Sequence, residues 1–160
     1  MTNLIRSLHI IVLFFTAATA SMYAADAKAK VWKHGDLVQM DKKLSQELDS
    51  ERSASDVLGT YSNHHFEIAI RKATGNAELH ETQNDVFFIV SGEATLVTGG
   101  TLVDRKLTEP HEYEGKSIAG GNRVTLTAGD VVHIPFNVPH QLIIEKGKEL
   151  EYFVVKIEAQ

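Results

Sequence analysis

Fifteen residues, Glu78 to Gly92, constrain this chain more than any other stretch, because ELHETQNDVFFIVSG sets an acid, an imidazole, a second acid and an apolar run in close succession. Glu78, Leu79 and His80 alternate polar and apolar, so in an extended backbone Glu78 and His80 project from one face and Leu79 from the other. Gln83, Asn84 and Asp85 carry side chains that close turns on their own backbone. Val86 to Val90 is β-branched and aromatic, the composition of a strand, and Ser91-Gly92 ends it. The stretch reads as two strands joined by a turn.

A second stretch, Gly129 to His140 (GDVVHIPFNVPH), has a Gly-Asp turn, a short apolar strand and two prolines that bracket Asn137 before His140. In this order and at this separation the two stretches resemble the paired signature motifs of the cupin family. The family's second motif is Gly, five residues, Pro, one residue, Gly, two residues, His. Gly129, Pro135 and His140 match it, and Asn137 stands at the middle glycine. Asn tolerates the positive φ that a glycine supplies there. The first motif is met more loosely: counted back from Gly92, Asp85 falls at the family's glutamate, His80 at its second histidine and Glu78 at its first, with Gly75 near the opening glycine.

The resemblance implies a double-sheet jelly-roll barrel over about Thr60 to Ile157 and a divalent metal held inside it by Glu78, His80, Asp85 and His140. Two imidazoles with a carboxylate and open positions suit non-haem Fe(II), and Mn, Ni or Zn are tolerated by the same donors. An open position lets such an ion polarise a substrate oxygen or activate water or dioxygen. Each residue also has a plainer reading. Glu78 can be a solvent-facing strand residue, Asp85 a turn residue capping its own backbone, and His140 a pocket histidine bonded to a carbonyl. The resemblance further implies a homodimer, since cupins commonly pair through sheet edges.

The N-terminus has the layout of a secretory signal peptide: Arg6 and no acid in Met1 to Ser7, an apolar run from Leu8 to Phe15 broken by His9, and small residues ending Ala18-Thr19-Ala20. Cleavage is expected after Ala20, with cuts near Ala24 or Ala27 as alternatives. The apolar run is shorter than the ~20 residues a membrane span needs, which argues against a retained anchor. Without cysteine no bacterial lipoprotein anchor, disulfide or thiol nucleophile is available. The protein is expected in the periplasm or secreted. A net charge of −5 with no basic block argues against nucleic acid as a partner, and the cupin resemblance implies a small-molecule ligand.

Ser21 to Lys30 is an alanine-rich lead-in. Leu37, Met40, Leu44 and Leu48 then recur at helical steps behind Asp36, a plausible N-cap, predicting an amphipathic helix laid on the outside of the sheet. Glu51 to Gly59 is small and polar, a loop. Thr60 to Arg71 alternates as a strand with His64, Phe66, Ile68 and Ile70 on one face and His65, Glu67, Ala69 and Arg71 on the other. Of the two histidines only one can face inward. Ala94 to Val97 reads as a separate strand, Gly99-Gly100 as a hairpin turn into Thr101 to Leu107, and Thr108 to Gly121 as a long polar connection carrying His111. Arg123 to Thr127 and Tyr152 to Ile157 complete the sheet. His133 falls out of phase with the site. Phe87, Phe88, Phe136 and Tyr152 either fill the core or wall a pocket.

The fold class is therefore all-β, a cupin-type double-stranded β-helix with one N-terminal amphipathic helix, organised as signal peptide (1–20), lead-in and helix (21–59) and barrel (60–160). Two functions follow: a metal-dependent oxygenase or isomerase acting on a small metabolite, or a metal-free cupin that binds a small molecule.

Overall fold

A computed structural model describes residues 29–159, and the expected signal peptide lies outside the described residues. Among them one helix precedes twelve strands: α1 (His34–Leu44), β1 (Ser53–Thr60), β2 (His64–Arg71), β3 (Ala77–His80), β4 (Gln83–Thr98), β5 (Thr101–Val103), β6 (Lys106–Glu109), β7 (Glu112–Gly115), β8 (Ser117–Ala119), β9 (Asn122–Thr127), β10 (Val131–Ile134), β11 (His140–Ile143) and β12 (Leu150–Glu158). Ten strands form one curled antiparallel sheet, a half-barrel, in the order β1-β2-β12-β4-β11-β3-β7-β6, with β9 and β10 also paired to β4; β5 and β8 pair separately.

The curl comes from β4, which serves both halves of the sheet. Its first part pairs with β12 and β10, and from Glu93 onward it pairs with β9 and β11. The change of partners falls at Gly92, whose φ is +84° and whose missing Cβ would collide with the Glu149 carbonyl oxygen. Only glycine meets both conditions. Ala94 to Val97 is thus the second half of β4 and not a separate strand. Between the halves, Ile89, Leu96, Leu126, Ile134 and Leu150 pack as the main core.

On the outer face, α1 sets Leu44 against Leu58, Ile68 and Ile70, with Leu37, Met40 and Leu48 packed around them. Each fully buried leucine of this kind contributes about 1.5–3 kcal/mol of transfer free energy. The helix begins two residues before Asp36. Its N-cap is Lys33, which makes no side-chain cap bond, and Asp36 lies in the first turn, where an acid complements the helix dipole. Packing, more than capping, holds this helix.

Four local expectations are corrected. Glu51 to Gly59 is no loop: β1 pairs with β2 from Ser53 opposite Arg71 to Thr60 opposite His65, with a bulge between Val57 and Gly59. Its small residues carry no strong strand signal, and the neighbouring strand supplies the order. The turn expected at Gln83 to Asp85 falls at Glu81-Thr82, and β4 starts at Gln83. Strands β3 and β4 are not hairpin partners, since β3 lies between β11 and β7. The supposed connection Thr108 to Gly121 holds the end of β6, all of β7 and all of β8, and β5, after Gly99-Gly100, pairs with β8.

Candidate metal centre

Strand register builds the centre in three side-by-side pairs. Glu78 on β3 lies opposite His140 on β11, His80 on β3 opposite Glu112 on β7, and Asp85 on β4 opposite Lys156 on β12. The period of two turns Glu78 and His80 to one side, while Ala77 and Leu79 pack with Leu102 on the other. The two motifs are also tied through their backbones. Asn137 adopts φ +60°, as its place at the motif's glycine predicts, and its N–H donates to the His80 carbonyl at 2.8 Å. The Phe136 N–H donates to Asn84 Oδ1 at 3.1 Å.

The structure brings Glu78, His80, Asp85 and His140 together. One donor atom each from Glu78, His80 and His140 lies within 4.8 Å of the others. His80 Nε2 is 3.7 Å from Glu78 Oε2 and 3.4 Å from Asp85 Oδ2, while His140 Nε2 is 4.0 Å and 3.5 Å from the same two oxygens. Asp85, His80 and His140 are buried, and Glu78 is half-buried.

The outer ring nitrogens fix the tautomers. His140 Nδ1 donates to the Val138 carbonyl at 3.2 Å, and His80 Nδ1 bonds to the Glu112 carboxylate. Both Nε2 lone pairs therefore face the centre, the arrangement that presents imidazole to a metal. His140 Nε2 is buried and has no hydrogen-bond partner among the described residues. His80 Nε2 has one, the Lys156 ammonium at 3.0 Å, which also donates to the two Asp85 oxygens at 3.1 and 3.2 Å.

The electrostatics follow from burial and these neighbours. Burial would raise the Asp85 carboxyl, but the Lys156 ammonium, bonded to both its oxygens, outweighs it and holds Asp85 well below the usual carboxylate range. Glu78 is lowered in the same way, against burial, by His140, Arg71, Lys156 and His80. Burial would lower Lys156, yet the Asp85 and Glu78 carboxylates raise it, so it stays an ammonium. For His80, burial pulls down while the neighbouring Asp85 carboxylate and the Glu112 bond pull up, and the net shift is upward. An ammonium can only donate, however, so the 3.0 Å contact requires a bare Nε2. With Lys156 in place His80 is neutral.

Beside the centre lies a cavity of about 160 Å³, lined by Ser53, Glu67, Arg71, Tyr152 and Lys156 among others. Arg71 spans its wall, donating to Glu78 Oε1 at 3.1 Å and to the Tyr152 hydroxyl at 3.2 Å. It lies over Gly75, where a Cβ would meet the guanidinium. Burial pushes the Tyr152 phenol up, so it remains protonated. Phe87 and Tyr152 are buried here, whereas Phe88 and Phe136 are each 44% exposed and wall no part of this cavity.

Other histidines lie elsewhere. His64 stacks on Tyr61 on the Phe66 and Ile68 side of β2, while Glu67 and Arg71, of the other face, line the cavity. His111 and His133 are exposed. Three residues of the centre had no assigned role in the sequence: Lys156, Glu112 and Arg71. For Lys156 a signal existed, since Tyr152, Val154 and Lys156 share one face of β12. Glu112 had none, because its place depends on the register of β7.

No protein-family model and no curated protein sequence matches the chain. Solved structures do match it in fold. A Thermus thermophilus protein is 16% identical over 74% of this chain and 94% of its own, with a TM-score of 0.51. A conserved Streptococcus pyogenes protein of unknown function is 13% identical over 83% and 90%, with a TM-score of 0.50. A Cupin 2 conserved barrel domain protein from Salinispora arenicola is 19% identical over 70% and 80%, with a TM-score of 0.47. The chain shares the fold of the Thermus thermophilus and Streptococcus pyogenes proteins, and the two stretches that resemble the cupin motifs meet inside its curled sheet. Set against the cupin motifs that the sequence resembles, Glu78 stands at the place of a histidine and Asp85 at the place of the glutamate, and Lys156 bonds to both Asp85 and His80.

Proposed function

We propose that this protein binds one divalent metal ion at Glu78, His80 and His140 and acts on a small polar metabolite as an oxygenase or isomerase. The observation that carries the reading is the pair of buried imidazoles whose Nδ1 atoms are occupied and whose Nε2 lone pairs converge with Glu78 Oε2. Two imidazoles and a carboxylate leave coordination positions open, and a bound ion there supplies Lewis acidity or redox chemistry. The chain's own residues do the rest. Arg71 and Tyr152 offer donors on the cavity wall, Glu112 fixes the His80 tautomer, and the core excludes bulk water from beneath the donors. The N-terminal sequence supports export to the periplasm or beyond, and pairing as a homodimer remains part of the same reading.

A second reading, a metal-free cupin that binds a small molecule, is favoured by one contact: the Lys156 ammonium already bonds to His80 and Asp85. The deciding experiment purifies the chain from Ser21 without added metal, dialyses it and measures its metal content beside a His80→Ala, His140→Ala double variant. Stoichiometric metal in the parent and none in the variant is the expected result. Metal in neither, even after reconstitution with Fe(II), Mn(II) or Zn(II), would leave the second reading, to be pursued by ligand-dependent thermal stabilisation.

A further inference from the structure

Lys156 stands among the donors that a bound ion needs. Its Nζ is 3.0 Å from His80 Nε2 and 3.1 Å from Asp85 Oδ1. We infer that Lys156 is a built-in competitor for the cation site: its ammonium and a divalent ion exclude each other, and the ion enters only when Lys156 swings out of the centre. This inference rests on the metal reading above.

Three observations carry it. First, His80 Nε2 has a single lone pair, and donation from Lys156 uses it. An ion coordinated by that nitrogen needs the same electrons. Second, the charges balance in only one of the two arrangements with an ion present. Glu78, Asp85 and Glu112 set three carboxylates around the centre, against the cations of Arg71 and Lys156. A divalent ion in place of the ammonium leaves these carboxylates matched by the ion and Arg71. An ion added beside the ammonium would set two cations a few ångströms apart at a buried site, where repulsion is weakly screened. Third, there is room to leave. Lys156 lines the cavity, as does Glu67, whose carboxylate acts on the ammonium and lies on the neighbouring strand β2. A four-carbon stem with a rotatable ammonium can make that move.

The ammonium does not fully replace an ion. It bonds to His80 and Asp85 but leaves His140 Nε2 without a partner among the described residues. The centre with the ammonium in place is thus only partly neutralised, three carboxylates against two cations, and still under-satisfied. Metal affinity is reduced by the fraction of molecules whose Lys156 is out, the ordinary consequence of a rarely populated competent state.

The test titrates Mn(II) into the metal-free chain from Ser21 and follows the free ion by electron paramagnetic resonance. Lys156→Met is expected to tighten Kd by at least about tenfold, while Lys156→Arg, which keeps the charge, stays within about threefold of the parent. A Lys156→Met protein that binds no tighter than the parent, while the parent does bind, overturns the competition and leaves the metal reading standing. If neither the parent nor any variant takes up Mn(II), Fe(II) or Zn(II), both fall. Since Lys156→Met leaves Asp85 buried without its partner, the Asp85→Asn, Lys156→Met double variant serves as a second probe, with the same gain expected. A third readout needs no variant. Reductive methylation of Lys156, followed by peptide mass spectrometry, should quicken several-fold when the parent is saturated with Mn(II), and an unchanged rate would count against displacement.

Discussion

Asp85 shows how much a single buried charge can depend on its neighbours. It is 1% exposed, and its carboxylate is held by the Lys156 ammonium, which donates to both oxygens. Removing one partner of such a pair leaves an uncompensated charge, so Lys156→Ala should cost about 3–5 kcal/mol in urea denaturation at pH 7. The pH dependence has a definite sign. Because the folded-state pKa of Asp85 is depressed, its contribution is present above the unfolded value of about 3.9 and is lost as pH falls through the folded value. Stability of the parent should therefore drop with falling pH below about 4. In Asp85→Asn that drop should be shallower by the share of one proton, and equal slopes in the two proteins would show that Asp85 is not the group responsible. Asn137 makes a complementary point: its φ of +60° was foreseeable from the motif position it fills, because the constraint is local.

At the level of elements, β4 decides the architecture. A strand of sixteen residues that changes partners midway needs one residue able to take φ +84° beneath the Glu149 carbonyl. Gly92→Ala meets the dihedral strain, about 1–3 kcal/mol, together with a backbone collision. Gly147→Ala meets the strain alone, since nothing lies within 4 Å of its missing Cβ at φ +83°. Gly92→Ala should accordingly lower the urea midpoint clearly more than Gly147→Ala. Comparable losses would mean that the close approach at Gly92 does not constrain the bend. Helix α1 was legible from the spacing of Leu37, Met40 and Leu44, whereas β1 was not. Helical periodicity is written in one segment, but a strand of small residues owes its order to the strand beside it.

For the whole molecule, the consequence is where the folded unit begins. A barrel starting at Thr60 would lack nearly all of β1 and the whole of α1, exposing Ile68 and Ile70, which are 0% and 2% accessible in the intact fold. The compact unit that holds the helix and the sheet starts at Trp32. A fragment of residues 32–160 should unfold cooperatively with a midpoint close to the parent's, while a fragment of residues 60–160 should be aggregation-prone or lose cooperativity, as an uncovered apolar sheet face predicts. Equal stability of the two fragments would show that the helix and first strand are dispensable.

What the sequence by itself determined about this protein is what depends on neighbours along the chain. The alternation in Glu78-Leu79-His80, the apolar run of β4, the positive φ of Asn137 and the spacing from Gly129 to His140 are all of this kind, and together they pointed to the curled sheet and to four of the residues at its centre. The tertiary structure decided what depends on pairing between distant segments. Register set Lys156 beside Asp85 and Glu112 beside His80, 71 and 32 residues apart in the chain, and placed a cation among the donors. A lysine in an apolar strand and a glutamate in a polar stretch have no local property that fixes their partners. Only the strand order brings them together, and with them the competition that governs this centre.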